Sequence, residues 1–146
     1  MQAARTWGWN PWATRSMPLL WVLHLGHAWI IVGLVLLALA ALGLTAPTLA
    51  WHAFAVGAMG SLILGMMTRT ALGHTGRLLQ AARLEPLAYA LILGGALLRV
   101  FGSLALPAHP HVVLGLAALR WSGAFALYLW KYAPMLVRPR IDGRKG

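Results

Sequence analysis

The sequence predicts an all-α fold: an integral membrane bundle of four transmembrane helices with both termini cytoplasmic. Three observations carry this expectation. Of 146 residues, 60% are hydrophobic and only 10% charged, with a mean hydropathy of +0.73, which leaves too little polar surface for a soluble domain. The apolar residues fall into four long runs, at about 18–44, 47–72, 86–106 and 111–133. Among the segments outside those runs, the N-terminus, the second connector and the tail 134–146 hold Lys and Arg, whereas the first and third connectors hold neither. Four crossings put the three basic segments on one side, as the positive-inside rule requires. No linker divides the chain, so residues 1–146 read as a single membrane domain.

The elements follow in order. Residues 1–17 carry Arg5 and Arg15 with Trp7, Trp9 and Trp12, the composition of an interfacial belt. The apolar stretch that follows is too long for the core of a cleavable signal peptide. Helix one opens with Pro18 in a first turn, where proline is tolerated. Its length of about 40 Å, against a hydrocarbon core of roughly 30 Å, requires tilt or protrusion. Helix two contains Ala53, Gly57, Ser61 and Gly65, spaced every four residues. These give one face almost no side chain, so that another helix or a flat ligand can approach closely. This helix is expected to stop at Gly73 in a left-handed cap. The stretch R-L-L-Q-A-A-R-L that follows reads as a short surface helix. Helix three holds Gly94, Gly95 and Arg99, and P-A-H-P leads into helix four with Arg120.

Composition also excludes. There is no cysteine, hence no disulfide, iron–sulfur cluster or thiolate-ligated haem. The formal charge of +10 sets twelve Lys and Arg against Glu85 and Asp142 alone. Because the basic residues flank apolar runs, they read as topology signals, with no nucleic acid partner. Two distant acids do not make a carboxylate dyad. The nucleophile-elbow, zinc-protease, phosphate-loop and dinucleotide patterns are all missing, so any enzymology would belong to a bound cofactor.

The polar residues inside the spans carry the functional expectation, each with a bland alternative. Arg99 and Arg120 are expected at similar depth in the outer half. Insertion of a central Arg costs about 2.5–3.5 kcal/mol, so each must face partners or snorkel to the interface. The spans offer no acid to pair with them. His24, Arg69 and His74 are expected to gather at the cytoplasmic end, where two imidazoles can clamp haem iron or hold copper. Alternatively, His24 bonds a backbone carbonyl and His74 caps a helix. His52, Met59 and Met66 recur every seven residues, but successive members stand about 10 Å apart along a helix axis and cannot share one ion. His109 and His111 flank the outer turn, either as copper donors or as solvated loop residues.

The runs P-L-L-W-V-L-H-L-G, W-H-A-F-A-V-G-A-M-G, M-T-R-T-A-L-G-H-T-G-R and Y-A-P-M-L-V-R-P-R-I-D-G-R resemble the NnrS family over nearly the whole chain. The resemblance is to the C-terminal third of longer family members, which commonly have some twelve helices. It implies a bacterial inner-membrane protein, multi-pass, containing haem and copper and linked to nitric oxide metabolism and nitrosative stress. It further implies metal ligation by His24, His52 and His74. Arg69, Thr75, Gly76, Arg77 and Arg99 match family positions and are expected to bind cofactor, as is Gly57. Arg120 and Ser61 join that set from the residue reading. His27 stands where the family commonly has an aromatic residue and inherits no role. The expected partners are the lipid bilayer, nitric oxide, and either a second copy or a complementary multi-helix subunit. Two rival readings are a non-redox anion permeation or transport subunit, and a structural membrane-assembly subunit whose contact face is Gly57, Ser61 and Gly65.

Overall fold

The computed structural model describes residues 16–141 and 143. The tryptophan-rich flank expected at the interface, Asp142 and the final basic residues lie outside the described residues. Among the described residues, four helices are long and apolar enough to cross a membrane: α1 (Pro18–Ala41), α2 (Pro47–His74), α3 (Leu84–Ala105) and α4 (Pro110–Leu136). Prolines open three of them, because a first-turn residue needs no N–H for the helix ladder.

The helix ends are set by local chemistry. α1 stops where Gly43 takes φ 73°, its N–H donating to the Ala40 carbonyl and that of Leu44 to the Leu39 carbonyl. α2 ends in the same way, but at Gly76 rather than at the expected Gly73. Gly76 has φ 73°, its N–H reaches the Gly73 carbonyl, and the Arg77 N–H reaches the Leu72 carbonyl. This paired pattern closes a helix and requires the left-handed residue to stand two positions beyond the last helical one. Gly73 itself sits within the last turn of α2. The expected surface helix after it is absent, and residues 77–83 form an irregular connector. At its end the Ala82 N–H donates to the Glu85 carboxylate. α3 starts at Leu84, two residues before Pro86. α4 passes through Pro134, where it was expected to end, and continues to Leu136.

α1 packs along α2 and α3 along α4, while α2 also touches both α3 and α4. Hence α2 has the most buried span, 44% of its apolar window, and α4 the least, 22%. Inside a bilayer, apolar side chains gain little by leaving lipid for protein, so close packing must hold the helices together. Two layers of core result. One, nearer the basic connector, contains Leu19, Val22, Leu64, Tyr89, Tyr128 and Tyr132. The other, nearer the far turn, contains Trp29, Leu36, Ala53, Ala96 and Val100. In this second layer both central helices widen into π-helix, over Ala53–Met59 in α2 and Leu98–Gly102 in α3.

Candidate functional site

The small-residue strip of α2 is the face on which α1 rests. A Cβ added at Gly57 would lie 2.4 Å from the Trp29 ring, and one at Gly65 would lie 2.9 Å from Val22 and Leu23. In the other direction, Gly33 of α1 receives the Phe54 ring, 2.5 Å from where its own Cβ would stand. The flat group against Gly57 is therefore an indole of the same chain, which stacks in turn on Phe101 with centroids 6.2 Å apart. Ser61 is fully buried beneath α1, and its hydroxyl finds no partner among the described residues.

This interlock fixes the register of α1 against α2, and with it the depth of each histidine. Gly65 stands level with Val22 and Leu23, next to His24. His74 follows nine residues later, so it sits about 15 Å along the axis from His24, at roughly 1.5 Å per residue. Phe54 stands level with Gly33. That puts His52 about 15 Å from His24 in the opposite direction. The three imidazoles thus occupy three separate layers, and His24 and His74 do not gather as expected. Glycine packing, rather than the alignment of helix ends, decides the register. Among the described residues, no group of three or more His, Asp or Glu could hold a metal ion.

The bonding of two histidines is nevertheless specific. His24 Nδ1 donates to the Leu20 carbonyl at 2.9 Å, and His52 Nδ1 donates to the Thr48 carbonyl. A carbonyl can only accept, so in the neutral ring the lone pair is on Nε2 in both cases. A metal ligand can use this tautomer, though either ring nitrogen can serve. His74 is exposed at the end of α2, and His109 and His111 are exposed beside the far turn.

At the basic end, the L-G-H-T-G-R signature builds the terminus of α2. Thr75 is buried, and its hydroxyl donates to the carbonyls of Ala71 (2.7 Å) and Leu72 (3.2 Å). Gly76 turns the chain, and the Thr75 carbonyl accepts the N–H of Ile141 from the tail at 3.4 Å. Arg77 follows with its Nη1 buried and unbonded among the described residues. Arg69, one face around on α2, lines a cavity of about 660 Å³ together with Met17, Pro18, Leu20, Leu79 and Gln80. Leu20, whose carbonyl holds His24, belongs to this wall, so His24 lies one turn deeper on the same side of α1.

Arg99 and Arg120 belong to the far half of the α3–α4 pair. The Arg120 guanidinium lies on Gly94, 2.7 Å from where a Cβ would be, and Gly102 meets Val113. From this register Arg99 stands about 7 Å nearer the far end than Arg120. Neither has a hydrogen bond or ion pair among the described residues. They do not share a cavity: Arg99 lines one of about 250 Å³ with Val56, Leu114, Trp121 and Ser122, and Arg120 is not part of it.

One polar cluster escaped the sequence reasoning. Glu85, 2% exposed, pairs with Lys131, accepts the Tyr132 hydroxyl and takes the Ala82 N–H. Close by, the Tyr89 hydroxyl bonds Thr68, whose own hydroxyl donates to the Gly65 carbonyl at 2.8 Å. Tyr128 stacks on Tyr132 with centroids 4.8 Å apart. A lone acid beside Pro86 and a lysine in an apolar run are the two signals the sequence offers. Their separation of 46 residues hides the pair.

These features define a multi-pass helical membrane protein whose spans carry histidines and arginines in separate layers around close-packed glycine contacts. The model of the NnrS protein matches residues 1–140, and the chain belongs to the NnrS family. No curated protein and no solved structure matches it.

Proposed function

We propose that this protein is a haem- and copper-binding component of the nitric oxide, or nitrosative stress, response in the bacterial inner membrane, with both termini cytoplasmic. The observation that carries the reading is family membership over residues 1–140. The geometry of the basic end supports the haem part. A cavity of about 660 Å³ falls within the range of small-molecule sites and combines apolar walls from Pro18, Leu20 and Leu79 with the polar groups of Ser16, Gln80 and Arg69. The buried Nη1 of Arg77 lacks a described partner and suits a carboxylate such as a haem propionate. His24, one turn below, is anchored through Nδ1 to the Leu20 carbonyl, the backbone hold that commonly orients a metal-ligating imidazole. Bound haem would supply a redox-active iron open to small gaseous ligands, nitric oxide among them. The chain's own residues would hold its carboxylates, orient one imidazole and keep lipid-facing walls around it.

The fit to copper is poorer. No three-donor group stands together among the described residues. His52 and His74 each offer a single donor, so a copper site would need further ligands from a second copy or a complementary multi-helix subunit. Gly57 and Ser61 serve the α1 contact, and we assign them to packing rather than to a macrocycle.

The test is the visible spectrum and metal content of the protein purified in mild detergent from haem-supplied cells. The expected result is a haem absorption band that weakens on His24→Ala or Arg69→Gln while His109→Ala leaves it unchanged. Folded protein with neither haem nor copper would overturn the reading.

A further inference from the structure

We infer that the cleft between α2, α3 and α4 in the far half binds the carboxylate of a long-chain fatty acid, with Arg99 as the anion-binding residue. Four observations lead to this ligand. The cleft, of about 250 Å³, is walled by apolar Val56, Leu114 and Ala118 and by the polar groups of Arg99, Trp121 and Ser122. Leu114 is 50% and Trp121 38% exposed, so the cleft opens sideways, toward the lipid tails. An occupant therefore enters from the bilayer and carries a hydrocarbon body.

Second, Arg99 has no hydrogen bond or ion pair among the described residues, and the spans hold one acid, Glu85, which is committed to Lys131 at the basic end. Guanidinium in hydrocarbon is costly without an anion, and its planar fork matches a carboxylate with two parallel bonds.

Third, Arg99 is six residues from the end of α3 at Ala105, about 9 Å inside the span. A Cα–Cβ bond leans toward the start of its own helix, which for α3 lies at the basic end. Arg99 therefore sets out away from the nearer interface rather than toward it. A compact carboxylate on a bare chain can sink to that level, whereas a phospholipid headgroup, held at the interface by its bulk and hydration, does not.

Fourth, two of the three walls come from π-helical turns, Val56 in that of α2 and Arg99 in that of α3. Such turns forgo regular backbone bonding and concentrate where side chains must be re-aimed for a ligand.

The experiment titrates the detergent-purified protein with a long-chain fatty acid brominated on its chain, which quenches tryptophan fluorescence on contact. Saturable quenching is expected, with Trp121→Phe removing most of it. Arg99→Gln should weaken the apparent affinity at least tenfold, and Arg120→Gln should leave it unchanged. Ala118→Leu, which fills the cleft without touching charge, should also block binding and carries the test if Arg99→Gln does not fold. The methyl ester and a brominated anionic phospholipid are the comparison probes, and both should fail to saturate the site. Equal quenching by the methyl ester, equal binding by the phospholipid, or no effect of both Arg99→Gln and Ala118→Leu would overturn the inference. Haem loading is not part of the readout, so loss of the haem reading would leave this result standing.

Discussion

The Trp29 indole lies directly on the backbone of Gly57, so close that a Cβ there would stand 2.4 Å from the ring. A ring rooted this near cannot swing aside as a long flexible chain would, so even one methyl group must part α1 from α2. Gly57→Ala should destabilise the bundle by about 1–3 kcal/mol, the usual cost of overpacking a filled core. Combining it with Trp29→Leu should cost less than the sum of the two changes, because they share one contact. Thermal unfolding in detergent measures both.

The Glu85–Lys131 pair ties the start of α3 to the end of α4. Glu85→Ala should cost about 3–5 kcal/mol, since it strands a lysine, a tyrosine hydroxyl and the Ala82 N–H at once. Lys131→Met should cost clearly less. The Lys131 side chain is 16% exposed and Tyr132 and Ala82 still satisfy the carboxylate. Equal losses for the two variants in denaturant melts would contradict this account.

Two glycines of the same signature should respond oppositely to alanine. Gly76→Ala forces a side chain into the left-handed region and should destabilise by about 1–2 kcal/mol. At Gly73 a Cβ meets nothing within 4 Å, and the backbone is helical, so Gly73→Ala should stabilise by up to about 1 kcal/mol. Limited proteolysis across residues 77–83 gives a second measure of how firmly the end of α2 is closed.

The hydroxyl pair Thr68–Tyr89 is buried on both sides. Thr68→Val removes the partner and leaves the phenol hydroxyl unsatisfied, at about 1–3 kcal/mol. The double variant Thr68→Val with Tyr89→Phe should recover part of that loss, which a double-mutant cycle in thermal melts would show.

Orientation can be read with unusual clarity because the chain has no cysteine of its own. Gln80→Cys, in the basic connector, should resist a membrane-impermeant maleimide in spheroplasts, whereas Ala108→Cys in the far turn should react. The reverse pattern would invert the topology that the positive flanks imply.

By itself the sequence determined the four spans, which follow from one-dimensional quantities: runs of apolar residues long enough for a bilayer, and prolines at helix starts. The family signature was likewise legible, because M-T-R-T-A-L-G-H-T-G-R is contiguous. It marked Thr75, Gly76 and Arg77 without saying that the first two close a helix. Only the tertiary structure decided which residues meet. Trp29 filling Gly57 fixed how far α1 slides along α2, and that slide set the depths of His24, His52 and His74. Glu85 found Lys131 across 46 residues because α3 and α4 pack along one another, the start of one beside the end of the other. The physical reason is that hydropathy is a sum over neighbours in the chain. Register depends instead on the fit of a few glycines and rings between helices, and lipid does not supply it.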